Sequence, residues 1–77
     1  MTTRRLDVVL EWGPESRVWV TYVPALNFLS DVGDTREEAL DHTREAILGY
    51  LEAAAREGVS VPNSGTTELV QLEVQGA

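Results

Sequence analysis

The stretch Ser30-Asp31-Val32-Gly33-Asp34-Thr35-Arg36-Glu37-Glu38-Ala39 decides the fold, because it joins an apolar run to the start of a long amphipathic segment. Thr35 can accept a hydrogen bond from the backbone N–H of Glu38 while the Glu38 side chain reaches back, which is the pattern of a capping box. Glu37 and Glu38 also suit the positive end of a helix dipole. Gly33 permits a sharp reversal of the chain before the cap. The sequence therefore predicts a strand, a turn and a helix start here.

The segment that follows, residues 36–57, has apolar side chains at helical spacing. The members of this stripe are Ala39, Leu40, Thr43, Ala46, Ile47, Tyr50, Leu51 and Ala54. A stripe of this width predicts one helix lying across one face of a sheet. Gly58 is expected to end the helix in the left-handed conformation, and Pro62 reinforces the stop within a loop over residues 59–65.

Four other runs have the composition and period of strands. Leu6, Val8, Leu10 and Trp12 alternate with other residues, and a turn at residues 13–16 precedes a β-branched run at residues 17–23. A short strand is predicted at about residues 28–32, and a fourth at residues 67–74, where Val70, Leu72 and Val74 share a face. The predicted fold is a single domain, residues 1–77, of the α+β class: a two-layer β-β-β-α-β arrangement with one mainly antiparallel sheet and one covering helix.

Size and composition restrict the function. A chain of 77 residues without cysteine has neither a disulfide framework nor a thiolate metal site, so self-association into a homo-oligomer is the remaining route to extra stability. Its apolar runs are much shorter than the roughly 20 residues that span a bilayer, and its start has no apolar signal segment. We expect a soluble, cytoplasmic protein with no membrane contact.

The charge balance favours a basic partner. Thirteen acidic residues against six basic ones give a net charge of −7, and the six arginines are scattered among carboxylates. Nucleic acid is bound through clustered basic side chains, so direct nucleic-acid binding by this chain is not expected. Negative charge steers basic proteins instead, although it also serves simply to keep a small protein soluble.

Two apolar side chains are candidate contacts. Leu48 lies opposite the centre of the apolar helix stripe, among acidic neighbours, although a lone exposed leucine is common. In the strand at residues 17–23, Val18, Val20 and Tyr22 share one face and Trp19 lies on the other. If Trp19 faces away from the helix, it marks an open sheet face that could bind a partner, and partial burial by local side chains is the alternative.

Catalytic groups are scarce in this sequence. His42 is the single histidine, so neither a nucleophile–base pair nor a three-ligand metal site can be completed around it. The run Asp31-Val32-Gly33-Asp34 lacks the ligand spacing of a calcium loop, and the isolated glycines form no phosphate-binding loop. We expect no catalytic residues, no cofactor and no metal. A hydrolase acting through Asp31, Asp34 and nearby glutamates with a divalent metal is the remaining enzymatic alternative.

Several motifs together resemble the HicB family, the antitoxins of bacterial and archaeal toxin–antitoxin pairs. These motifs, in order, are a strand hairpin, Val23-Pro24-Ala25-Leu26, the run from Ser30 to Ala39, Ala46-Ile47 and Tyr50-Leu51 in the helix, and Gly58-Val59-Ser60-Val61-Pro62. The resemblance covers about residues 6–74, and its most specific part is Gly-Asp-Thr-x-Glu-Glu-Ala with Pro-x-Leu before it.

The resemblance implies a degenerate ribonuclease-H-like β-β-β-α-β domain that binds a small basic ribonuclease toxin, HicA, of double-stranded-RNA-binding-like fold. Two departures stand out. Family members usually have Pro-Asp-Leu-Pro-Gly where this chain has Pro24-Ala25-Leu26-Asn27-Phe28. They also carry a C-terminal DNA-binding segment, whereas this chain stops after its fourth predicted strand, so the resemblance does not extend to operator binding.

We therefore expect a non-enzymatic, HicB-like antitoxin-type domain that binds protein partners and neutralises a basic ribonuclease by occlusion. The alternative is a structural homo-oligomer or small regulatory subunit without a toxin partner. The candidate partner-binding residues are Trp19, Glu37, Asp41, Glu45, Leu48 and Glu52.

Overall fold

A computed structural model describes residues 4–61 and 68–76 of the chain. Its elements are strands β1 (Val9–Gly13), β2 (Val18–Val23) and β3 (Leu29–Gly33) and helix α1 (Arg36–Glu57), with a 3-10 turn at Pro24–Leu26. The strands form one antiparallel sheet in the order β1-β2-β3, so β1 and β3 are its edges. The predicted α+β class, with one antiparallel sheet packed against one helix, is confirmed.

The core lies between α1 and the β2–β3 side of the sheet. Helix α1 packs mainly on β3 and less on β2. Val23 and Leu26 on the sheet side and Ala39 on the helix are almost completely buried. The hydroxyl groups of Thr21 and Thr43, both buried, form a hydrogen bond that joins the central strand to the helix. Since buried polar groups need partners, this bond fixes the position of the helix over the sheet.

Strand alternation decides which side chains the helix covers. Thr21 contacts the helix. Trp19 and Val23 lie two residues before and after it in a strand that pairs without interruption, so they face the helix as well. Trp19 therefore lies on the opposite face of the sheet from Val18 and Val20, as predicted. However, the helix covers the face that carries Trp19, so Trp19 does not mark an open sheet face.

Both ends of α1 have the predicted caps. Thr35 accepts a hydrogen bond from the Glu38 N–H at 3.0 Å. The Glu38 carboxylate accepts one from the Asp34 N–H at 3.1 Å, one residue earlier than a standard capping box would place it. Gly58 ends the helix at φ 70°, and the Val59 N–H donates to the Ala54 carbonyl oxygen at 2.9 Å. Because these interactions are local, the helix has the predicted limits.

The strands differ from the prediction in two places. β1 begins at Val9 rather than at residue 6, because residues 4–8 lie beyond the last pair with β2, Val9 opposite Tyr22. The prediction of a fourth strand at residues 67–74 is wrong for its described part, because residues 68–76 have no regular secondary structure and are exposed. Alternation of apolar and polar residues gives the segment an apolar face, but a strand also needs a neighbouring strand for its backbone hydrogen bonds. Within the described residues, no strand pairs with this segment. Residue 67 and the loop residues 62–65 lie outside the described ranges.

Gly33 is expected to be irreplaceable because the helix backbone passes directly against it. A Cβ atom there would lie 2.4 Å from the Ala39 nitrogen, and backbone cannot move aside as a flexible side chain can. We predict that Gly33→Ala lowers the free energy of unfolding by about 2 kcal/mol or more, measured by urea denaturation. Gly49→Ala is the matched control, because a Cβ there meets nothing within 4 Å. It should raise stability by roughly 0.5–1 kcal/mol through helix propensity, and equal effects of the two changes would contradict this packing.

Candidate functional site: the outer face of the helix

The outer face of α1 carries four acidic residues and one leucine at spacings of three and four, with the exposed Arg44 beside them. These residues are Glu37, Asp41, Glu45, Leu48 and Glu52, and all are exposed. Side chains at such spacings stack along one side of a helix. The side chains that α1 buries, Ala39, Thr43 and Ala54, lie on the opposite side. We call this group of five residues the helix outer face.

The helix outer face combines negative charge with an apolar centre. At 1.5 Å per residue, its four carboxylates extend over about 22 Å of the helix axis. Glu37 Oε1 lies 4.0 Å from Arg36 Nη1, but both side chains are well exposed, so this pair contributes little stability. Leu48 is 60% exposed between Glu45 and Glu52. A convex acidic surface around an apolar side chain suits contact with a basic protein.

Trp19 lies apart from the helix outer face. It is half-buried in β2 and its ring packs against that of Trp12, directly opposite on β1, with 5.5 Å between ring centroids and a 58° angle between planes. Trp12 is 46% exposed. The structure therefore brings together five of the six predicted contact residues and places the sixth in an aromatic pair on the sheet.

Phe28 is a candidate contact that the sequence did not reveal. It is 66% exposed and has φ 60°, directly after Asn27, which also has φ 60°. Left-handed backbone is unfavourable for a bulky residue, and strained, exposed aromatic side chains are often functional. Asn27 is a common turn residue and was the only local sign of this conformation. The left-handed φ of Phe28 follows from how the chain connects β2 to β3, and the local sequence does not specify that connection.

His42 joins the helix to the edge strand. Its Nδ1 lies 2.7 Å from the Val32 carbonyl oxygen, as a donor to it. This hydrogen bond raises the pKa of His42 above its ordinary value of 6.5, burial opposes the rise, and the carboxylates of Asp31, Glu38 and Glu45 add to it. The geometry makes His42 an anchor for β3 beside the helix outer face.

The acidic residues at the strand–helix junction are engaged locally. Asp31 Oδ1 accepts a hydrogen bond from the Val32 N–H at 2.8 Å, and the Asp34 N–H donates to Glu38. Within residues 4–61 and 68–76, no group of three or more histidine or acidic side chains is placed to hold a metal ion.

A groove of about 740 Å³ opens between residues 4–8 and α1. Leu40, Ile47 and Leu51 line its helix side, and the exposed side chains of Arg4, Arg5, Arg44 and one carboxylate, Asp7, lie at its rim. We call it the β1 groove, since residues 4–8 lead into that strand. Its lining is mainly apolar and basic, which is suited to holding an apolar segment with acidic side chains.

Comparison of the chain with protein-family models, with curated proteins and with solved structures finds no match. Among the described residues, no helix has the length and apolar character needed to cross a membrane. The surfaces described above are therefore the basis for assigning a function.

We predict that the His42 imidazole titrates with a midpoint above 6.5 in the folded protein, measured by NMR of its ring protons. Because the folded pKa is raised, the stability that His42 contributes is present below its unfolded pKa and is lost as the pH rises through the folded value. Asp31→Asn should lower the midpoint, since it removes a neighbouring negative charge. Glu15→Gln, a change in the exposed β1–β2 turn, should leave it unchanged. A wild-type midpoint at or below 6.5 would contradict the Val32 contact.

For Phe28→Gly, the expected result is a gain in stability of about 0.5–1 kcal/mol, because glycine adopts left-handed backbone without the steric cost that other residues have. Thermal unfolding of the two proteins measures this. Phe28→Ala is the control, since it removes the ring but keeps the Cβ and its strain. A loss of stability in Phe28→Gly larger than in Phe28→Ala would show that the φ of 60° is not the source of strain.

Proposed function

We propose that this chain is a HicB-like, antitoxin-type domain that acts by binding a small basic ribonuclease through the helix outer face. The observation that carries the proposal is the exposed row of Glu37, Asp41, Glu45 and Glu52 around Leu48. The domain works in the cytoplasm, as a binding protein rather than an enzyme.

The mechanism is occlusion. A ribonuclease holds RNA through a basic surface that contacts phosphates. The helix outer face offers that surface carboxylates in place of phosphates, so protein and RNA compete for the same site. Leu48 supplies the apolar contact that desolvates the centre of the interface, and the long-range field of a chain with net charge −7 speeds the encounter.

The helix cap also agrees with the proposed family, whereas the loop before β3 departs from it. Phe28 stands where the HicB pattern usually has glycine, and its φ of 60° is a conformation that glycine adopts most easily. Asn27 stands where the pattern has proline, and its φ of 60° is a conformation that proline cannot adopt. Thr35 and Glu38, which lie in the most specific part of the motif, both cap the helix that carries the acidic row. The cap therefore supports the proposal through the most specific part of the motif.

The test uses the HicA-type ribonuclease that the proposal requires to be encoded next to this chain. We expect the wild-type protein to suppress RNA cleavage by that enzyme when the two are equimolar. The charge-reversed variant Asp41→Lys, Glu45→Lys should associate at least about tenfold more slowly at low salt, measured by stopped-flow fluorescence. The difference should shrink as salt is added, because salt screens exposed charges.

Glu15→Lys, Glu57→Lys is the matched control, since both glutamates are exposed and neither belongs to the helix outer face. Each reversal changes the charge by two, so both double variants have a net charge of −3 instead of −7. Slow association of only the Asp41, Glu45 variant supports the outer face as the site. Equal rates for the two variants, or the absence of a neighbouring basic ribonuclease, would refute the proposal.

A further inference from the structure

The C-terminal segment, residues 68–76, is apolar yet lies in solvent. Leu72 and Val74 are 83% and 85% exposed, and Leu69 and Val70 are exposed as well. The Cα radius of gyration is 14.7 Å, whereas a compact domain of this length would have about 11.5 Å. A segment with this many exposed apolar side chains is unfavourable in water unless another surface covers it.

The residues that precede β1, 4–8, line the β1 groove. Strand β1 pairs with β2 on one side, and among the described residues no strand pairs with its other edge, so the backbone N–H and C=O groups of that edge are open to a further strand. Helix α1 packs over β3 and β2, which leaves Leu40, Ile47 and Leu51 facing the β1 groove. A strand added here would gain backbone hydrogen bonds from β1 and an apolar surface from α1.

The C-terminal segment matches this site in pattern and charge. Val70, Leu72 and Val74 share one face at strand spacing. The segment contains Glu68 and Glu73 and no basic residue, whereas three arginines and one carboxylate, Asp7, line the β1 groove. Glu68 lies on the same face as Val70, Leu72 and Val74, so it can enter the groove beside the arginines, while Glu73 lies on the other face.

We propose that the C-terminal segment of one copy of the chain forms a fourth strand on β1 of a second copy, with its Val70, Leu72 and Val74 in the β1 groove. In the single chain this segment lies outside the β1 groove and pairs with no described strand. The segment that fills the groove is therefore assigned to a second copy. Both complementary surfaces belong to the same chain, so a two-fold axis lets the two copies exchange segments reciprocally and closes the assembly as a dimer. This inference does not depend on the ribonuclease partner.

Sedimentation and native mass spectrometry of the full chain test the proposal. The wild-type protein should be a dimer, and Leu72→Glu, Val74→Glu should raise its dissociation constant at least about tenfold. Because both side chains are exposed in the single chain, the variant should keep the circular dichroism spectrum of the three-stranded core. Leu69→Glu, Gln71→Glu is the matched control: it also adds two negative charges at exposed positions, but both lie on the other face of the segment, so the dimer should persist.

A synthetic peptide of residues 68–76 gives an independent measurement. It should compete for the β1 groove and convert the dimer to a peptide-bound monomer in native mass spectra. Arg44→Glu should weaken peptide binding through the loss of a cation at the rim. The proposal is overturned if the wild-type chain is monomeric, if the dimer survives Leu72→Glu, Val74→Glu, or if the peptide leaves the dimer intact.

Discussion

The structure depends on the close contact between the backbone of α1 and Gly33 at the end of β3. An ideal Cβ atom at Gly33 would lie 2.4 Å from the Ala39 nitrogen, so the absence of a side chain allows the helix to turn back directly over the sheet. This contact brings Thr43 to Thr21, where their hydroxyl groups meet in the core. With the helix fixed at both points, its acidic side faces solvent, and Leu40, Ile47 and Leu51 lie across the β1 groove from residues 4–8.

A sheet covered by a single helix provides surfaces more readily than cavities. The two surfaces described here differ in chemistry: the helix outer face is convex and acidic, while the β1 groove is concave and mainly apolar, with arginines at its rim. Such a division allows one face to attract a basic protein while the groove binds an acidic, apolar strand. Leu48 lies between them, since it belongs to the helix outer face and also lines the groove.

The sequence predicted the parts of the fold that depend on local interactions. The limits of α1 follow from the Thr35 cap and Gly58, and both are set by neighbours within a few residues. The acidic row followed from helical spacing in the same way. The start of β1 and the state of residues 68–76 were predicted wrongly, because strand formation depends on pairing with distant residues. Whether the helix covers the face that carries Trp19 depends on how the helix packs on the sheet. The strained φ of Phe28 depends on how β2 connects to β3. The local sequence pattern specifies neither.

The central claim is that the edge of β1, which has no partner strand among the described residues, binds the C-terminal segment of a second copy. Contacts between copies test this claim most directly. An NMR sample that mixes isotope-labelled and unlabelled chains detects nuclear Overhauser effects between copies only. Such effects are expected between residues 68–76 of one copy and Val9–Gly13 of the other. Effects confined to a single chain, or none between these two segments, would contradict it.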